Sequence, residues 1–208
     1  MKKKVLFLVL TSFMLAGCGS QPKDLESCKA DIADFEYDIS DENVDLKEYN
    51  GKLKYLYIQP AYEVNGKTYK TNLSDFWLNN DKVKLVIFGN GIKEVNDSVF
   101  NSSEVESVYF PKTMQVVYDK TLDYLHSEDE KIQIYYEGTE DEWNSIFAEY
   151  ERQTVEEAWN SSEDMEEKGS AVGKSLADKL NSMMGSYDDS EFEYHYSVSE
   201  DSLESLMK

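Results

Sequence analysis

Cysteine is almost missing from this 208-residue chain: Cys18 and Cys28 are the only two. The N-terminal pattern described below claims Cys18, which leaves Cys28 without a partner and rules out a disulfide framework. Histidine is as scarce, with His126 and His195 alone. His126 lies in a polar, loop-like stretch and His195 on the outer side of an alternating pattern, so both read as surface residues. No G-x-S-x-G, H-E-x-x-H or C-x-x-C occurs, which removes the serine-elbow, zinc-protease and dithiol chemistries those patterns carry. Basic residues are few: 21 Lys and Arg stand against 42 Asp and Glu, a formal charge of −21. Such a chain repels nucleic acid and anionic lipid surfaces. Beyond residue 16 there is no apolar run long enough to cross a bilayer.

Near-matches to functional motifs also fail, each on a definite position. Residues 169–175 (GSAVGKS) are one residue short of a phosphate-binding loop and follow no strand pattern. Asp41, Asn43 and Asp45 begin like a calcium loop. Leu46 then stands where the sharp turn needs Gly, and Lys52 where a bidentate Glu is needed. Residues 163–167 (EDMEE) read as a solvated helix face, with weak divalent-cation binding as the other option. The expectation is a protein that is not an enzyme, with no metal site and no cofactor.

What is present begins at the N-terminus. Lys2, Lys3 and Lys4 precede a mostly apolar segment over residues 5–16, too short to span a membrane and followed by small residues, which is the layout of a signal peptide. Leu15, Ala16, Gly17 and Cys18 then resemble the lipobox of bacterial lipoproteins. That resemblance implies cleavage before Cys18, diacylglycerol on its sulfur and acylation of the new amino terminus. The chain would then sit on the extracytoplasmic side of a bacterial cell membrane, since two or more acyl chains anchor stably. A secretory signal with an unmodified Cys18 is the other reading. Cleavage removes three Lys and no acid, taking the formal charge from −21 to −24.

The mature chain divides by composition. Residues 18–48 are polar and acidic and read as a lipidated tether with a weak helix. Residues 49–147 carry a repeat. "DFWLNNDKVKLVIF" from Asp75 returns 22 residues later as "DSVFNSSEVESVYF" from Asp97. Four apolar strand patterns line up: Leu56 and Ile58, Val86 and Phe88, Val108 and Phe110, Ile134 and Tyr136. Alternation puts all eight on one core face. Asn65 and Gly66 mark a turn inside an insertion. After Phe88 come Ile92 and Val95, and after Phe110 come Met114 and Val117, at the same spacing.

This layout resembles the BspA-like (Treponema-type) leucine-rich repeat, on Phe100, Val105, Val108, Phe110, Pro111, Met114 and Val117. The repeat's Cys is absent, Ser102 and Ser103 lie near its place, and Gly89 stands where one unit would have Pro. The resemblance implies a short leucine-rich-repeat solenoid, with a strand and an irregular or short helical segment per turn. A C-terminal α+β cap over residues 148–208 would close it, making the whole chain α+β. For function it implies adhesion or recognition of a protein or glycan partner through the repeat surface.

The C-terminal part gives a helical stripe at Trp143, Ile146, Phe147 and Tyr150, continued by Ala158 and Trp159. A second stripe runs through Val172, Leu176, Leu180 and Met183 or Met184, with Gly185 as its terminator. "EFEYHYSVS" alternates as a half-buried strand with Phe192, Tyr194, Tyr196 and Val198 on one side. A short helix near residues 202–207 follows.

Opposite the repeat core, Tyr57, Ile87, Tyr109 and Tyr135 fall into one column, with Tyr55 and Leu85 beside it. An exposed aromatic ladder suits a sugar or a protein surface. Cross-strand packing that steadies the sheet, or cover by the C-terminal strand, is the alternative use of the same residues. On the first use these four form the candidate binding site. On the second the protein is an envelope structural or assembly lipoprotein that docks a partner through its C-terminal region.

Overall fold

A computed structural model describes residues 24–101, 103–125, 130–148 and 189–207. The signal-like segment, Cys18, Ser102, His126, Tyr150, the acidic run at 163–167, the loop at 169–175 and the stripe from Val172 to Gly185 lie outside the described residues. In chain order the elements are β1 (Phe35–Ser40), β2 (Asn43–Tyr49), β3 (Tyr55–Ile58), β4 (Ala61–Val64), β5 (Lys67–Asn72), β6 (Leu85–Phe88) and β7 (Ser107–Phe110). They continue with β8 (Val117–Tyr118), α1 (Asp119–Leu122), β9 (Ile132–Tyr136), α2 (Glu140–Ile146), β10 (Phe147–Ala148) and β11 (Phe192–His195). Short 3₁₀ helices occupy Leu25–Cys28, Ile32–Asp34, Asp189–Glu191 and Glu200–Ser205.

The apolar beats form a parallel sheet in the order β11-β9-β7-β6-β3. Its register runs Leu56–Val86–Val108–Ile134–Tyr194 across the five strands. Residues in line across a ladder share a face, so this row and the parallel row through Ile58, Phe88, Phe110 and Tyr136 enter one core. Phe110 stacks on Phe88 with ring centroids 5.5 Å apart, and Trp143 of α2 lies 5.5 Å from Phe110 on its other side. α2 starts on a capping box: Thr139 Oγ1 accepts from the Glu142 N–H, while Glu142 accepts from the Thr139 N–H.

The leucine-rich-repeat solenoid with a cap is corrected by this architecture. The molecule is α+β, but among the described residues it is built from two larger sheets and one two-stranded pair, mostly strands with few helices. A solenoid turn touches only its neighbours. Here a second, mixed sheet in the order β1-β2-β5-β4 is built from residues 35–72, and β3 of the parallel sheet lies between its two hairpins in the chain. β1 and β2 form one hairpin, β4 and β5 another, and β2 joins them by running parallel to β5. Asn65 and Gly66, with φ of 53° and 78°, make the two-residue β4–β5 turn, a geometry that needs positive φ twice. The apparent insertion in the repeat is therefore half of a sheet.

The acidic tether is corrected with it: residues 24–49 carry two 3₁₀ helices and strands β1 and β2. Phe35 and Tyr49 pair across β1 and β2 and pack tilted at 5.2 Å, and Val44 and Leu46 are fully buried beside them. The expected helical stripe from Trp143 also stops early. Phe147 is extended and pairs with Val117 as β10 on β8. At the C-terminus, Phe192 and Tyr194 face the main core as the alternation predicts. Ser197, at φ 59°, then turns the chain, so Val198 packs on the opposite side of the sheet.

Candidate functional site

The sheet register does build the predicted column: Tyr57, Ile87, Tyr109 and Tyr135 lie in line, and His195 of β11 completes the row. The column is not an exposed surface, which corrects its reading as a binding face. Tyr57 is 5% exposed, and Ile87 and Tyr109 are fully buried. The two ends of the described chain meet over them as a strap. Leu25 and Cys28 come from the N-terminal side, and Val198, Leu203 and Met207 from the C-terminal side. Polar contacts pin the strap: Tyr57 Oη donates to Glu200 Oε1 at 2.9 Å and the Leu25 N–H donates to Glu204 Oε1 at 3.2 Å. Cys28 Sγ lies 3.1 Å from Met207 Sδ.

The cause is apolar area. Each large side chain moved from water to this second core contributes about 1.5–3 kcal/mol, against about 1 kcal/mol for an ordinary hydrogen bond. Parallel sheets are covered on both faces for this reason. Only the end of the column is partly open, where Tyr135 stacks on His195 at 4.7 Å and His195 Nε2 meets Gln133 Oε1 at 2.7 Å.

Burial under the strap also shifts ionisation. It raises the Cys28 thiol from 9.0 to about 11, and raises the Tyr57 and Tyr109 phenols well above their usual range, with nearby carboxylates adding to the effect. A folded-state pKa above the unfolded one means stability is complete below the unfolded value and is lost as pH rises through the folded value. Stability is therefore expected to hold up to about pH 9 and fall progressively as the pH rises toward 11, with Cys28 turning reactive to a thiol probe in step. A flat denaturant midpoint from pH 8 to 11 would contradict this.

An open groove lies elsewhere, between the two copies of the 22-residue repeat. It has a volume of about 380 Å³ and is lined by Ser74, Asp75, Phe76, Trp77, Asn96, Asp97, Ser98 and Asn101. The copies stack here: the Leu78 N–H donates to the Val99 carbonyl at 2.7 Å. Asn96 Nδ2 donates to the carbonyls of Leu73 and Phe76, and its Oδ1 accepts from the Ser98 N–H at 2.8 Å. Asp75 and Asp97, equivalent positions of the repeat, thus line one groove.

Each aspartate is held by a lysine. Lys47 Nζ is 2.6 Å from Asp75, an ion pair that raises the Lys47 ammonium above its ordinary value. Lys120 Nζ is 3.1 Å from Asp97. Phe76 and Leu78 are fully buried, and the alternation of an extended segment turns Trp77 outward, 42% exposed. Its backbone N–H donates to the Lys47 carbonyl at 3.0 Å, which extends the mixed sheet by one bridge.

Sequence reasoning passed over this groove. Its signal was an indole at the outward position between two apolar neighbours, within a repeated Asp motif. The calcium-like start at Asp41 resolves as the β1–β2 turn, with Asp41 at φ 48° and the Asp45 carboxylate accepting from Ser40 and Asn72. Among the described residues no three His, Cys, Asp or Glu side chains gather in a way that could hold a metal ion. No protein family matches this chain, and neither a curated protein nor a solved structure is found to be similar to it.

Proposed function

We propose that this chain is a lipid-anchored, extracytoplasmic recognition protein of a bacterial cell membrane, not an enzyme, and that it binds a neutral glycan in the groove at Trp77. The observation that carries the reading is Trp77 itself: an indole left 42% exposed beside two aspartates, two asparagines and two serines. A flat indole face packs against the C–H face of a sugar ring, and amide, carboxylate and hydroxyl groups at its rim hydrogen-bond the ring hydroxyls. The lysines on Asp75 and Asp97 suit those carboxylates to accepting hydrogen bonds more than to moving protons. The acidity of the chain disfavours anionic sugars.

The anchor rests on the lipobox-like sequence ending in Cys18. Five residues lie between Cys18 and Asp24, where the described chain begins at the strap, a reach of about 20 Å at full extension. The strap covers one face of the parallel sheet. Phe76, Val99 and Phe100 of the groove segments pack in the main core on the other face. The groove would then face away from the membrane.

The test is a neutral-glycan array probed with the mature chain, followed by titration of hits against Trp77→Ala. The expected result is at least a tenfold loss of affinity with an unchanged unfolding midpoint. In cells expressing the full chain, Cys18→Ser should stop incorporation of labelled palmitate. Unchanged glycan binding by Trp77→Ala would remove the groove from consideration. A second reading, a structural lipoprotein docking through its C-terminal region, is favoured by Leu206. It is 38% exposed beside a cleft of about 230 Å³ that it shares with Lys54, Tyr55, Lys84 and Tyr135.

A further inference from the structure

The mixed sheet ends on β1, which pairs with β2 on one side only. In an antiparallel pair alternate residues aim their N–H and C=O away from the partner. Along Glu36 to Ser40 those groups have no partner among the described residues. Such an edge is a template for another strand.

Two further observations say what would add to it. First, the register puts Tyr37 opposite Leu46 and Ile39 opposite Val44, on the core face. Leu46 and Val44 are fully buried, yet Tyr37 is 36% and Ile39 43% exposed. These two side chains are left partly exposed at the open edge, beside the position the next strand would take. Second, the outer face carries acid opposite acid, Glu36 against Glu48 and Asp38 against Asp45. Like charges directly opposite destabilise a sheet. The nearby cation, Lys47, stands at the β-bulge between Glu36 and Tyr37 and is committed to Asp75.

We propose that β1 is a strand-addition site for an extended cationic segment of a partner protein. Its apolar side chains would cover Tyr37 and Ile39, and its Lys or Arg side chains, alternating with them, would meet Glu36 and Asp38. Backbone pairing supplies affinity in this mode, and the alternate side chains supply selection. A second copy of this chain is a poor occupant, because β1 against β1 brings Glu36 and Asp38 of one copy beside the same acids of the other. The site is separate from the glycan groove and does not depend on it.

The probe is a soluble peptide alternating Val and Lys, with a Val/Glu counterpart and a Val/Lys peptide N-methylated at every second residue. The mature chain should bind the first and neither of the others. Glu36→Lys with Asp38→Lys should lower binding of the Val/Lys peptide at least tenfold and admit the Val/Glu peptide, at an unchanged unfolding midpoint. Tyr37→Ser with Ile39→Ser should weaken the Val/Lys peptide without that exchange, and Trp77→Ala should leave it unchanged. Equal binding of the N-methylated peptide would reduce the site to charge attraction and overturn strand addition. Absence of Val/Lys binding, or a wild-type dimer in sedimentation that the Tyr37 and Ile39 changes dissolve, would overturn it as well.

Discussion

Leu203→Ala is expected to destabilise the protein by about 2–5 kcal/mol, the usual range for truncating a buried leucine. Leu203, part of the strap, is fully buried in the second core together with Tyr57, Ile87 and Tyr109. It is held there from a 3₁₀ helix, Glu200–Ser205, that makes few polar contacts with the sheet. Its loss leaves a cavity over the aromatic column and loosens the strap as a whole. Leu206, three residues further along and 38% exposed, supplies the control. Leu206→Ala should stay within about 0.5 kcal/mol of wild type, as surface changes do. Urea titration measures both, and binding of a hydrophobic dye in the absence of urea should rise for Leu203→Ala alone. Equal, small effects for the two variants would mean that the strap is not part of the cooperative fold. The tyrosine column would then return as an accessible surface.

The second large effect is expected at Phe110. This ring is fully buried between Phe88 and Trp143, each 5.5 Å away, so it joins the parallel sheet to α2. Phe110→Ala should cost about 3–5 kcal/mol. Trp143 is 3% exposed and also packs at 5.5 Å from Tyr136 and 5.8 Å from Tyr194. A double-mutant cycle of Phe110→Ala and Trp143→Ala should give a coupling energy of about 0.5–1.5 kcal/mol. The fluorescence of Trp143 should report unfolding of the sheet at the same urea concentration as circular dichroism. A cost under about 1 kcal/mol for Phe110→Ala, or two separate transitions, would show that α2 and the sheet do not share one core.

These two sites differ in how far they could be read in advance. Phe110 was legible: "SVYF" beside "LVIF" and "YLYI" gives strand patterns whose alternation names the core face, and the register confirms that row by row. The burial of Tyr57 and Tyr109 carried a weaker signal in the same letters. Parallel strands covered on both faces read as continuous apolar runs, and "YLYI" and "LVIF" are such runs, buried at all four positions. The alternation alone assigned one face to the core and left the other open between an exposed ladder and cover by cross-strand packing or the C-terminal strand. β1 and β2 were concealed by charge. "FEYDIS" and "NVDLKEY" alternate with period 2, but their acids made the segment look like a solvated tether, and only one of the six residues of β1 is buried.

Local spacing determined what a sequence can determine here. It set the side of each strand a residue occupies, the Asn65–Gly66 turn, the strand character of β11 and the acidity that narrows the range of partners. Each follows from φ/ψ preferences and a two-residue repeat, which act over a few neighbours. The tertiary structure alone decided what lies on top of each face. Cys28 and Met207 meet across 179 residues, β2 finds β5, and two aspartates of successive repeat copies come to share one groove with Trp77. Such contacts arise from the competition of whole surfaces for burial. That competition is settled by the area each arrangement removes from water, a property of the assembled chain that no short window of sequence carries.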